Sequence, residues 1–179
     1  MTLTLATLIP GLLLIALGVP LLLNSAGYAA MLKAMPRSNA AAFVLFGTGA
    51  AWFIYNIAHL GAADMIIPKP YMLAAFTLIA VSSLVYMREF LAVRGLAALV
   101  LVGAMPLLDA GFMNFEHARI NFYKAAVYLA IIGAIWIAAQ PWRLRDFFGW
   151  LLAQPGRTRG VGGVLTAYGV LLAIVAFTY

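Results

Sequence analysis

The chain has 179 residues, of which 66% are hydrophobic and only 9% charged, with a net charge of +6 and a mean hydropathy of +1.04. Soluble domains are roughly 45–50% apolar and about 25% charged, so this chain has too little polar surface to cover its own core in water. The absence of cysteine excludes disulfides, thiolate metal sites and cysteine nucleophiles.

A membrane-spanning helix needs about 20 mostly apolar residues to cross ~30 Å of hydrocarbon. The first such run covers 3–23. No basic residue precedes it, the first being Lys33. A cleaved leader carries its positive charge ahead of the apolar run, so the segment reads as a retained span. The second span covers 40–62, the third 70–87, the fourth 95–113, the fifth 123–140 and the sixth 160–179. The expected fold is therefore all-α: a single domain, 1–179, of six transmembrane helices arranged as three helical hairpins.

Residues 142–153, between the fifth and sixth spans, have a pattern of their own. Leu144, Phe147, Phe148, Leu151 and Leu152 recur at the spacing of one helical face, while Arg143, Asp146 and Gln154 lie off it. Trp142 and Trp150 suit headgroup depth, and Pro155-Gly156 ends the segment. A short helix lying in the cytoplasmic interface is expected here.

Lys and Arg in short loops orient a membrane protein. The first, third and fifth loops hold eight of them: Lys33, Arg37, Arg88, Arg94, Arg143, Arg145, Arg157 and Arg159. The other side holds Lys69, Arg119 and Lys124. The excess places those three loops in the cytoplasm and both termini outside, in what reads as a bacterial inner (plasma) membrane. The same pattern explains the basic charge without nucleic acid, for which the chain offers no soluble surface.

An Arg-acid-Phe step recurs, at Arg88-Glu89-Phe90 and again at Arg145-Asp146-Phe147, each followed by an Arg-Gly step. It suggests a parallel repeat of helical hairpins. Gly47 with Ala51, and Gly169 with Ala173, have the small-xxx-small spacing that lets helices approach closely.

Ionisable residues inside a span cost about 2.5–3.5 kcal/mol by insertion scales and ask for an explanation. Asp109 lies three residues after Pro106 in the fourth span; it is either a binding or proton-relay carboxylate, or it is hydrated near the interface and paired with Arg119 or Lys124. His59 is the histidine within a span, with Asn56 one turn before it, and could ligate a cofactor. Asn56, His59, Asp64, Asp109, Glu116 and His117 all fall toward the outer side and form a candidate polar cluster. Their spacing matches no metal motif, so no metal or other cofactor is required. Ser82 and Ser83 lack the surroundings of a catalytic serine. Arg143, Arg145, Arg157 and Arg159 are candidates for contacts with lipid headgroups or a partner. Tyr28, Tyr71, Tyr86, Tyr123 and Tyr179 read as interfacial belts.

These features favour a non-catalytic accessory or structural subunit of a larger membrane complex, its partners being membrane lipids and either other membrane subunits or further copies of itself. The alternatives are a small transporter or channel using Asp109, and an intramembrane lipid- or quinone-linked enzyme built around His59.

Overall fold

In a computed structural model the chain is helical, with no strand among the described residues. Those residues are the whole chain except Ala62, Ala63, Met65, Ile66, Arg88, Phe115, Glu116 and Ala118. The helices are α1 (Leu3–Leu22), α2 (Ala26–Ala34), α3 (Asn39–Ala58), α4 (Lys69–Tyr86), α5 (Leu91–Asp109), α6 (Ile120–Ala139), α7 (Trp142–Leu151) and α8 (Pro155–Ala176), with a 3-10 turn at Met35–Arg37 after α2. Six of them, α1, α3, α4, α5, α6 and α8, are long and apolar enough to cross a membrane.

The first loop is not a loop. α1 stops where Asn24 takes a left-handed φ of 52°, a conformation that asparagine tolerates better than most residues. The Asn24 and Ser25 N–H groups turn back to the Leu21 and Pro20 carbonyls, at 2.9 and 3.0 Å, and so satisfy two end carbonyls of the helix. The Ser25 Oγ then accepts from Tyr28 N–H and starts α2. A run of alanine, tyrosine, methionine and leucine carries that helix to Ala34, before the turn that holds Pro36. The span-by-span reading passed over it because nine residues are too few to cross a bilayer.

By its internal contacts the chain forms two compact units. The first comprises Met1–Lys33, Gly103–Gly133 and Arg145–Tyr179; the second comprises Ala34–Val102 and Ala134–Leu144.

The first unit is built on the antiparallel pairing of α1 with α8. Gly11 and Gly18 of α1 meet Gly169 and Gly162 of α8. A Cβ on Gly18 would stand 2.8 Å from the Gly162 carbonyl oxygen, and one on Gly162 would run into Leu22 N. Helix backbones pack this closely only where side chains are missing. At one end of the pair, Ala6 and Leu172 join Ala104, Ile120, Tyr123 and Val127 in a buried apolar cluster. Gly169 and Ala173 thus lie on the α1-facing side, as their spacing suggests, and Gly11 approaches the Ala173 backbone.

In the second unit α3 and the start of α5 run parallel. Gly95 lies against the backbone of Leu45 and Phe46, and Gly49 against Gly95 and Leu99. Ala42, Leu91 and Ala92 are buried there. Gly47, whose spacing to Ala51 suggests an interface, has nothing within 4 Å of a Cβ built on it. The contact lies instead at Gly49, two residues on. α3 also packs on α4 as a consecutive antiparallel pair, with Phe53 and Phe76 edge to face at 5.2 Å.

The two Arg-acid-Phe steps differ in conformation. Glu89 and Phe90 form the turn before α5, Phe90 at a φ of 55°, whereas Asp146 and Phe147 lie inside α7. Arg88 lies outside the described residues. The sequence likeness is not carried by a shared local structure.

Candidate functional site

One end of the first unit gathers polar groups against the apolar cluster. α6 opens with Ile120 and projects Tyr123 inward; Tyr123 is fully buried, and Val127, one turn later, continues the same face. Among the described residues the Tyr123 hydroxyl has no hydrogen-bond partner, and neither has the buried hydroxyl of Tyr179. Gly111, in the turn after α5, makes the room: a Cβ there would overlap the Tyr123 hydroxyl and stand 2.8 Å from Lys124 Cε. Lys124 Nζ donates to the Gly111 carbonyl at 2.9 Å. Tyr168 of α8 donates its hydroxyl to the Phe122 carbonyl at 2.8 Å. The His117 ring meets the Tyr179 ring edge-on at 5.2 Å.

The six residues of the expected outer cluster divide between the units. Asp109 and His117 belong to the first unit. Asp109 is exposed at the C-terminal end of α5. It forms no ion pair with Lys124 or Arg119, the ion pair present among the described residues being Arg145–Asp146 at 2.8 Å. Asn56, His59 and Asp64 belong to the second unit, and Glu116 lies outside the described residues. Among the described residues no three His, Asp or Glu side chains come close enough to share a metal ion.

His59 is exposed at the end of α3. Its Nδ1 lies 2.8 Å from the Tyr55 carbonyl, and its ring rests on the Tyr55 ring at 4.1 Å. With Nδ1 donating to that carbonyl, Nε2 is the nitrogen left to accept a proton or bind a metal. His59 could therefore supply one ligand.

The four arginines differ in their surroundings. Arg143 Nε donates to Gln140 Oε1 at 3.0 Å, and its guanidinium lies 6.0 Å from the Trp136 ring centre. Arg145 places Nε and Nη2 on one Asp146 oxygen, at 2.9 and 2.8 Å. Arg157 lies over the Trp150 ring at 5.2 Å, and Arg159 is exposed.

Sequence reading missed the inward role of Tyr123, which it placed in an interfacial belt. The available signal was its register: Tyr123 and Val127 share a helical face with Ile120. It also missed Thr158, which is buried and whose hydroxyl lies 2.9 Å from the Leu151 carbonyl and 3.2 Å from that of Gln154. That hydroxyl ties the end of α7 to the start of α8.

This end of the first unit brings Lys124, held on the Gly111 carbonyl, close to the buried Tyr123 hydroxyl, for which there is no partner among the described residues. No protein-family model matches the chain, and no curated protein or solved structure matches it.

Proposed function

We propose that the chain is an integral membrane subunit that docks onto another membrane protein through α4, without catalysis of its own. The observation that carries this is the state of α4. Among the described residues it is the one span of the six with no buried side chain. Its Leu73, Ala74, Thr77, Leu78, Val81 and Ser82 form one open side of the helix. Ser83 on the same helix returns its hydroxyl to the Ile79 carbonyl at 2.8 Å. Thr77 and Ser82 make no such bond among the described residues, and a hydroxyl left unpaired against lipid tails is costly. A neighbouring helix supplies both the missing cover and an acceptor.

The eight cationic side chains of the first, third and fifth loops support a cytoplasmic placement of those loops, with both termini outside, in a bacterial inner membrane. α7 is read as lying in the cytoplasmic interface, since Trp142, Phe147 and Trp150 are about half exposed beside arginines. The grouping into three hairpins is supported for α3 with α4, and α1 packs against α8.

The lack of native cysteine makes the test clean. Leu78→Cys carrying a thiol-linked photocrosslinker is illuminated in native membranes, beside Val164→Cys on the exposed face of α8. The expected result is an adduct of defined larger mass from position 78 and none from position 164. Equal labelling at both positions, or migration as a lone monomer under conditions that preserve native complexes, would sink the reading.

A further inference from the structure

We infer that the corner between α7 and α8 is a seat for the headgroup of an anionic phospholipid, held by Arg157 and Arg159. The inference rests on the reading that α7 lies at the membrane surface.

Charge singles out these two arginines. Asp146 is the one acid in 145–179, and it is taken up by Arg145. Arg157 and Arg159 have no acid to offset them within that stretch. At ~100° per residue, Gly156, Gly160 and Gly163 fall between the two arginines around α8. A Cβ on Gly156 or Gly160 would meet nothing within 4 Å, and one on Gly163 would meet only Leu22 Cδ1, at 3.7 Å. The result is a bare backbone floor flanked by two guanidinium groups. It faces away from the Gly162 and Gly169 side, which is filled by α1.

The aromatic groups set the depth. Trp150 is 51% exposed and Phe147 45% exposed, their ring centres 6.0 Å apart and their planes 30° to one another. The Arg157 guanidinium lies over the Trp150 ring. The guanidinium N–H groups are the donors that grip phosphate in pairs. Tryptophan prefers the headgroup region, so the same contact puts the guanidinium at phosphate level. Thr158 keeps the corner rigid through its hydrogen bonds to the Leu151 and Gln154 carbonyls.

The test uses the full chain in nanodiscs of equimolar phosphatidylglycerol and phosphatidylcholine, with retained lipid read by native mass spectrometry. The expected result is retention of phosphatidylglycerol over phosphatidylcholine. R157Q/R159Q lowers that preference about thirty-fold, from about fivefold per arginine near an anionic surface. R157K/R159K keeps most of it, which also shows that the corner still folds, and R145Q leaves it unchanged. An unchanged preference in R157Q/R159Q, no preference in the parent chain, or an equal loss in R145Q overturns the seat. Trp150 as the sole tryptophan, in W52F/W136F/W142F, separates the two readings. If lipids brominated near the headgroup fail to quench it, the surface placement of α7 falls and the seat with it. Quenching without lipid preference removes the seat alone.

Discussion

Gly11 and Gly169 each occupy the space that a side chain on the other would need. A Cβ on Gly169 would stand 2.7 Å from the Gly11 carbonyl oxygen, and one on Gly11 would stand 3.0 Å from the Gly169 oxygen. The atoms in the way are backbone, so no rotamer change relieves the clash. Gly169→Val is expected to destabilise the protein by about 3 kcal/mol or more, at the upper end of overpacking costs. Gly47→Ala, which meets open space, is expected to be neutral or to gain up to about 1 kcal/mol from helix propensity. Thermal unfolding in detergent compares them; similar losses from both would show that the α1–α8 contact is not the cause.

Thr158→Val keeps the shape of the side chain and removes its hydroxyl. The Leu151 carbonyl, buried at this contact, loses a donor, at a cost of about 1–3 kcal/mol. Thr158→Ser should retain most of the stability. Limited proteolysis between α7 and α8 reads the change locally, with faster cleavage expected in the valine variant only.

Tyr123→Phe is expected to be neutral or stabilising by about 1 kcal/mol, because it removes a buried hydroxyl that has no partner among the described residues. Gly111→Ala is expected to destabilise, since the added methyl would overlap that hydroxyl and press on Lys124. The combination Gly111→Ala with Tyr123→Phe should recover part of the loss. A clear destabilisation by Tyr123→Phe alone, in unfolding measurements, would mean that the hydroxyl is engaged.

Asp109 and Lys124 should behave independently. Lys124 is held by the Gly111 carbonyl and Asp109 is exposed. Asp109→Asn should change stability by no more than about 0.5 kcal/mol, and Lys124→Met should cost about 1 kcal/mol. The double-mutant cycle should give a coupling near zero. A coupling of about 1 kcal/mol or more would restore the ion pair that the sequence made plausible.

The six spans were legible in the sequence because the bilayer imposes one strong requirement: about 20 apolar residues in every crossing. That requirement is local, so the chain states it directly, and α1, α3, α4, α5, α6 and α8 appear within a few residues of where hydropathy puts them. The helix from Trp142 was legible for the same reason, through its one-sided spacing. Which faces meet is a different matter. Lipid tails accept apolar side chains as readily as a neighbouring helix does, so hydropathy cannot tell a packed face from a bare one. Gly47 and Gly169 carry the same small-residue spacing, yet only Gly169 is pressed against another backbone. Tyr123 reads as an interfacial tyrosine until the fold turns it inward. The sequence by itself determined the membrane, the spans and the uneven distribution of charge. Tertiary structure alone decided the glycine contacts of α1 with α8, because residues from opposite ends of the chain must arrive at one place, and it alone left α4 without a buried side chain among the described residues.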